Sequence, residues 1–265
     1  MIVKMKTRSG FDKKLYEQMV QSVESVRGSG KMGISFSGGV DSSLLAKICH
    51  DLGCDAVLLT MGFEGSHDVE FSKQIARILG MEHKIEIISV KSFPNIAKKI
   101  WNEINVDNLS WNENCIAFYY VAKLAKKYEI DTVVTANGID ELFCGYNAYR
   151  DAVSKGEDAV LEMMGDKLDN ETKMMKAVNK ITSEFGVRIV QPFLSDKFIE
   201  FAKTIPIQHK ITNKDDLMRK HIVRKLAISI GVPEVSALKQ KKAMQYGSLI
   251  HKNLLKVKKT WNKDL

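Results

Sequence analysis

Cysteine is scarce in this 265-residue chain: Cys49, Cys54, Cys115 and Cys144 are irregularly spaced and make no CxxC pair. That spacing speaks against a zinc or iron–sulfur site and reads as ordinary buried thiols. His67, His83, His209, His221 and His251 likewise lack the spacing of zinc ligands. With only four prolines, no low-complexity linker and no internal repeat, the chain is expected to form one compact body rather than separable domains. No apolar run approaches the roughly 20 residues of a membrane-spanning helix. The first residues carry no apolar signal segment, so a cytoplasmic location is expected.

What is present suits an α/β protein. The composition, 45% hydrophobic, is sufficient for a sizeable core. Short β-branched runs at residues 31–36, 56–60, 84–89 and 132–136 alternate with amphipathic stretches at 12–27, 43–52, 68–79, 93–106 and 113–128. This alternation predicts a parallel sheet with helices on both faces. Beyond Tyr146 the pattern turns mainly helical, broken by the run 187–190. The expected organisation is a single domain over residues 1–265, with an α/β core at 1–150 and a mainly helical extension at 151–265 folded over the carboxyl edge of the sheet.

The segment SGGVDSS, residues 37–43, stands where the first strand should end and a helix begin. Gly38 and Gly39 allow a tight turn that aims several N–H groups one way, and the helix start adds its own unpaired amides. Such a nest suits phosphate oxygens. Ser37, Ser42 and Ser43 add hydroxyls, and Asp41 is placed to hold a magnesium ion bridging phosphates. A Walker loop would require GxxxxGK, and no lysine stands at that place. The nest should therefore hold the α-phosphate and pyrophosphate portions of ATP.

A second constellation, TANGIDELFCGYNAYRD at residues 135–151, follows the fourth strand. Asn137 and Gly138 make a strand-end turn, and Asp140 with Glu141 opens a helix near the crevice outside the sheet. Asp140 is thereby a second candidate magnesium ligand opposite Asp41, and Glu141 a cap or ion-pair partner.

These motifs, together with GFEGSHDVEFSKQIARILGMEHK, VQPFLSDKFIEFAKTIP and a late basic segment ending in KKAMQYGS, resemble the synthetase domain of asparagine synthetases and their β-lactam-forming relatives, within the PP-loop ATP pyrophosphatases. The resemblance implies that ATP is opened at the α-phosphate, that a carboxylate becomes an acyl-adenylate, and that ammonia or an amine displaces AMP. It implies that Ser37, Gly39, Asp41 and Ser42 contact pyrophosphate and that Asp41 with Asp140 holds magnesium. The stretch after the second strand, including Thr60 and Met61, would approach the adenosine, and Gly138 would line the substrate crevice. Lys214 and one of Lys241 and Lys242, with Lys242 preferred, would neutralise the departing pyrophosphate.

The pattern departs from the family in three places. No glutaminase region precedes these motifs and Met1 is followed by Ile2, which points to ammonia, an amine or a separate donor. Asn137 stands where the family's GEG motif has a glutamate, and an amide cannot accept a proton as a carboxylate does. The family's RxPFLD reads VQPFLSD here.

Charge is concentrated at the end of the chain. From Lys214 onward there are 13 Lys and Arg against 4 Asp and Glu, so with a net charge of +8 the first 213 residues sum to about −1. The closing KNLLKVKKTWNKDL is a candidate tRNA-docking segment, with Trp261 either stacking on a base or covering an apolar edge; a solvated helix or an acidic partner fits it as well. Two alternatives to amide synthesis follow: an RNA-modifying PP-loop enzyme that adenylates a base carbonyl, which for sulfur transfer would need Cys115 and Cys144 to meet, and a non-catalytic nucleotide- or RNA-binding protein. The polar stretch DNLSWNEN, residues 107–114, reads as an acceptor-specificity loop. The methionines of residues 161–177 read as core packing, with a lid or homo-oligomer contact as the alternative.

Overall fold

The computed structural model describes residues 10–28 and 30–261. The Met1–Ile2 start and the last four residues of the basic tail lie outside the described residues.

Five strands, β1 (Met32–Ser35), β2 (Ala56–Gly62), β3 (His83–Ile87), β4 (Thr132–Val134) and β5 (Arg188–Val190), pair in the order β3-β2-β1-β4-β5. Every pairing is parallel. Through the fourth strand the chain runs α1 (Phe11–Val26), α2 (Val40–Asp51), α3 (His67–Leu79), α4 (Phe93–Ile104) and α5 (Leu109–Lys127). Then follow α6 (Ile139–Leu142), α7 (Ala148–Val153), the long α8 (Glu157–Thr182) and α9 (Asp196–Lys203). The last helices are α10 (His221–Ser229), α11 (Glu234–Ala237), α12 (Met244–Gly247) and α13 (Ile250–Trp261). The parallel sheet with a mainly helical C-terminal part is thus as expected.

The run at 187–190 is not merely an interruption between helices. It pairs with β4 as the fifth strand, so the sheet draws on the chain from both sides of residue 150. The strand order reverses between β1 and β4, and a crevice opens outside the carboxyl ends of strands at such a switch point. Both singled-out motifs leave the sheet there.

Two apolar clusters sandwich the sheet. Met32 and Ile34 of β1, Leu58 of β2 and Val134 of β4 pack with α1, α2 and α10. Val57, Leu59 and Met61 of β2 and Val133 of β4 pack with α4, α5 and α13. Each fully buried Leu or Ile contributes about 1.5–3 kcal/mol, and the alternation along β2 and β4 is the period-two consequence of burying both faces. At Gly33 a Cβ would lie 2.5 Å from the Leu59 side chain and 3.0 Å from that of Val133. The strand therefore uses glycine where two neighbours close over it.

Several boundaries move for local reasons. α2 begins at Val40 rather than at residue 43, with Gly39 as its extended N-cap residue. α5 begins at Leu109, because the Asn108 side chain accepts from the Trp111 N–H at 3.2 Å and caps the helix. The stretch 107–114 is therefore chiefly a helix start, not a loop. Met164, Met174 and Met175 of α8 are buried, as core packing requires. Cys115 and Cys144 are both buried in different core clusters, so they do not form the thiol pair that sulfur transfer would need.

Candidate functional site

At the end of β1 the chain folds back on itself. The Ser37 N–H donates to Ser42 Oγ at 3.3 Å, Gly39 N–H donates to Ser37 Oγ at 3.3 Å, and Ser42 Oγ donates to the Gly39 carbonyl at 3.2 Å. The first intrahelical bond of α2 runs from Ser43 N–H to the Gly39 carbonyl at 2.9 Å. The amides of Val40, Asp41 and Ser42 precede it without intrahelical partners, and these residues line a deep cavity over the switch point. Gly38 has φ 76° and a Cβ there would meet the Phe71 ring at 3.0 Å, so its glycine is required twice over.

Not every serine of the motif faces the cavity. Ser43 is fully buried, and the Ser236 hydroxyl bonds both Ser43 Oγ (3.0 Å) and the Gly38 carbonyl (2.7 Å). Ser43 and Gly38, expected as phosphate contacts, instead fasten α11 to the back of the loop. Ser37, Gly39, Asp41 and Ser42 are the members that line the cavity.

Asp41 and Asp140 face each other across the switch point, joined by a lysine that the sequence reading did not select. Lys220 Nζ lies 2.6 Å from Asp41 Oδ2 and 2.9 Å from Asp140 Oδ1, with its side chain 1% exposed. A second lysine, Lys241, bonds the other Asp140 oxygen. Burial works to raise the Asp140 carboxyl, but the charges of Lys220 and Lys241 hold it well below the usual carboxylate range. Burial also works against the Lys241 cation, and Asp140 and Asp41 overcome it and raise its affinity for the proton. Asp41 Oδ1 is buried with no protein partner.

Lys214 is not part of this cluster. It is exposed, absent from the cavity wall, and its carbonyl accepts from Arg150 Nε at 2.6 Å. Lys220, six positions on, reaches the carboxylates because the backbone turns through left-handed Arg219 (φ 47°) and Lys220 (φ 54°) before α10. Asp216 pins that turn, accepting from the Thr212, Met218 and Arg219 amides at 3.0, 3.0 and 2.9 Å. Of the two late lysines, Lys241 contacts Asp140, while Lys242 lines the cavity and stands nearer Asp68.

The region after β2 forms another wall. Thr60 and Met61 line it. The Thr60 hydroxyl donates to the Phe36 carbonyl at 2.6 Å, leaving its oxygen to accept from His83 Nε2 at 2.8 Å. Burial, with Lys73 nearby, pushes His83 down to about 4, so the ring is neutral. His67 stacks near Phe71 at 5.6 Å and links Lys239 (2.6 Å) to Asp68 (3.0 Å). Lys239 caps the Phe71 ring from 3.0 Å.

The third wall comes from α5, α6 and α8. Gly138 turns the chain with φ 103°, where a Cβ would collide with the Phe193 carbonyl at 2.7 Å; it shapes the turn rather than lining the cavity. Its N–H donates to Glu141 Oε2 at 3.0 Å, and the Tyr146 hydroxyl donates to Glu141 Oε1. Asn137 lines the cavity, accepts from the Thr135 hydroxyl and donates to Glu171 of α8. Burial, reinforced by the charge of Glu141, pushes Glu171 up to about 8. Ser110 and Asn114 of α5 and Lys167 and Asn170 of α8 complete this wall. Within the 107–114 stretch, then, Ser110 and Asn114 in the first two turns of α5 are the residues that line the cavity.

Lys220 and Glu171 carried weak local signals. Lys220 sits in the basic run MRKH beyond Asp216, and Glu171 looks like one of many charges on a surface helix. A magnitude separates them from that background: they are 1% and 5% exposed, a burial that charged side chains adopt only when paired or functional.

The Asparagine synthase family model matches residues 14–177 and 170–264. The chain is 30% identical over 97% of its length to a protein named putative asparagine synthetase (glutamine-hydrolyzing) 1 of Methanocaldococcus jannaschii, covering 53% of that protein. A Bacillus subtilis asparagine synthetase (glutamine-hydrolyzing) is 33% identical over 49% of this chain and 20% of its own; one from Lotus japonicus is 24% identical over 82% and 38%. The chain spans about half the length, or less, of these relatives. Family match, parallel sheet and a nucleotide-type loop facing paired carboxylates agree: this chain belongs to the asparagine synthase family.

Proposed function

We propose that this chain adenylates a carboxylate with ATP, releasing pyrophosphate, and passes the acyl group to ammonia or an amine. The observation that carries the reading is the convergence of Asp41, Asp140, Lys220 and Lys241 on the loop amides at the switch point. Loop amides with Ser37 and Ser42 would hold phosphate oxygens, and Lys220 and Lys241 would neutralise charge as pyrophosphate leaves. Thr60, Met61, His67 and Phe71 form the wall suited to the nucleoside, and the α5–α8 wall is suited to the carboxylate acceptor.

The residues fit magnesium. Asp41 and Asp140 already share one cation, and Asp41 Oδ1 has no protein partner. Among the described residues no cluster of three or more His, Cys, Asp or Glu gathers around a point, and a pair of carboxylates is the set that magnesium takes with phosphate and water. When bound it would supply positive charge to the phosphates.

A basic stripe favours RNA as a second acceptor class. Lys252, Lys256 and Lys259 are exposed along one face of α13, which contains no acidic residue. Trp261 itself packs edge-on to Trp101 at 5.7 Å, which suits covering an apolar edge more than stacking on a base. No described helix is long and apolar enough to cross a membrane. The test is magnesium-dependent pyrophosphate release from ATP with aspartate plus ammonia, run beside total tRNA. Aspartate-dependent release with asparagine formed supports the amide reading; release with tRNA alone replaces it by RNA modification.

A further inference from the structure

At its far end from the nucleotide-type loop, α2 closes through a reversed turn. Gly53 takes the left-handed conformation (φ 64°), its N–H donates to the His50 carbonyl at 3.0 Å, and the Cys54 N–H donates to the Cys49 carbonyl at 3.0 Å. This closure sets the side chain of the third residue from the helix end against that of the second residue beyond the cap. An apolar pair commonly fills the two places. Here both are cysteines, and the Cys49 thiol hydrogen-bonds to the Cys54 sulfur. The backbone bond between them also holds their Cα atoms within the reach of a disulfide. The pair is asymmetric: Cys49 is fully buried in the core, whereas Cys54 is partly exposed. The exposed Arg27 side chain lies over the same turn, donating to the carbonyls of Leu52 at 2.9 Å and Gly53 at 3.2 Å.

We propose that Cys49 and Cys54 form a peroxide-reactive dithiol that closes reversibly to a disulfide, with Cys54 as the attacking sulfur and Cys49 as the resolving one. The Cys54 thiolate attacks one oxygen of hydrogen peroxide. The O–O bond breaks with its electron pair on the departing hydroxide, which takes a proton and leaves as water, and Cys54 becomes a sulfenic acid. The Cys49 sulfur then attacks the Cys54 sulfur. The S–S bond forms, the S–O bond breaks, and the leaving hydroxide takes the proton that Cys49 gives up. Two thiols lose two electrons in all, and the products are one disulfide and two waters. A small dithiol reverses the change by exchange.

The surroundings divide the two roles as the scheme needs. The hydrogen bond from Cys49, joined by the charge of Arg27, brings the Cys54 thiol down to about 7 against its burial and the charge of Glu24. The same hydrogen bond, with full burial, drives Cys49 upward, so the proton stays on Cys49 until Cys54 has been oxidised. Cys115 and Cys144 lie in different core clusters, and burial pushes each up to about 12. An accessible thiol of low proton affinity beside a second thiol is the arrangement that reacts selectively with peroxide.

In the test, the reduced full chain is treated with hydrogen peroxide, denatured, alkylated and mapped by peptide mass. The tryptic peptide 48–73 carries both cysteines. It should lose two hydrogens, resist alkylation and regain both thiols with dithiothreitol, while Cys115 and Cys144 remain thiols. In Cys49→Ala, dimedone should trap a sulfenic acid on Cys54, and its formation should be ~10-fold or more faster than that on Cys49 in Cys54→Ser. Iodoacetamide should likewise reach Cys54 of the native wild-type protein ~10-fold or more faster than Cys49. The wild-type mapping decides the matter if Cys49→Ala does not fold. Peptide 48–73 left with both thiols free, or with Cys54 carried on to a sulfinic acid and no disulfide, would overturn the proposal. Reaction at Cys49 as fast as at Cys54 would overturn it too. None of these readouts depends on ATP, so the adenylation reading stands or falls separately.

Discussion

One wall of the cavity is built from a single loop, through Ser37, Gly39, Val40, Asp41 and Ser42, whereas the facing wall gathers Asp140, Glu171, Lys220 and Lys241 from four separate stretches of chain. The first is shaped by a strand end, two glycines and a helix start, all local matters. The second depends on long-range packing: a left-handed turn before α10, an irregular segment between α11 and α12, and the inner face of α8. A local wall can be damaged by backbone changes. A distributed one is held by charge, and removing one partner exposes the others.

The largest effects should therefore fall on the carboxylates that join the walls. Asp41→Asn and Asp140→Asn are each expected to lower pyrophosphate release by ~100-fold or more, measured with ATP and aspartate; a rate within twofold of wild type would sever the two walls functionally. Lys220→Met leaves Asp41 without its ammonium partner and should cost about 3 kcal/mol of folding stability by urea titration. Lys214→Ala, at the exposed position, should cost less than about 0.5 kcal/mol. A reversal of those two would mean that the turn before α10 delivers a different lysine.

Effects on the local wall should be smaller. Gly38→Ala forces a non-glycine residue to φ 76° against the Phe71 ring and should cost about 1–2 kcal/mol. Ser43→Ala, which loses the bond to Ser236, should cost about 1 kcal/mol with little change in KM for ATP. Ser37→Ala should do the opposite, raising that KM with little change in melting temperature.

A pH experiment away from both walls gives a reference. Lys210 is fully buried and donates to the Ala202 carbonyl at 2.8 Å, and burial pushes its ammonium down to about 8. Between that value and the ordinary lysine range near 10.4 the unfolded chain binds the extra proton, so stability should rise with pH across this window. Against Lys210→Met the gain should be on the order of 1–3 kcal/mol; a flat difference would show that the amine is not buried as described.

What the sequence made legible follows the same division. The alternation of short β-branched runs and amphipathic stretches sufficed for a parallel sheet, because burial of both sheet faces leaves a strong signal in β2 and β4. The loop motif and Asp140 were readable because each sits at a strand end. The assignment of Lys214 failed because chain proximity to basic residues does not reveal the Arg219–Lys220 turn that carries the next lysine inward. Ser43 misled because a hydroxyl in a phosphate-type motif is indistinguishable, without α11 in view, from one that ties two helices together. Glu171 was hidden in the alternating charges of α8, since burial of a single carboxyl near Asn137 depends on contacts 34 positions apart.

Adenylation requires that ATP be opened in this cavity at the α-phosphate. Separation of the nucleotide products formed from ATP, magnesium and a panel of carboxylates including aspartate tests it directly. AMP and pyrophosphate in equal amounts, lost in Asp140→Asn, are the expected products; ADP and inorganic phosphate would show that ATP is opened at the γ-phosphate instead.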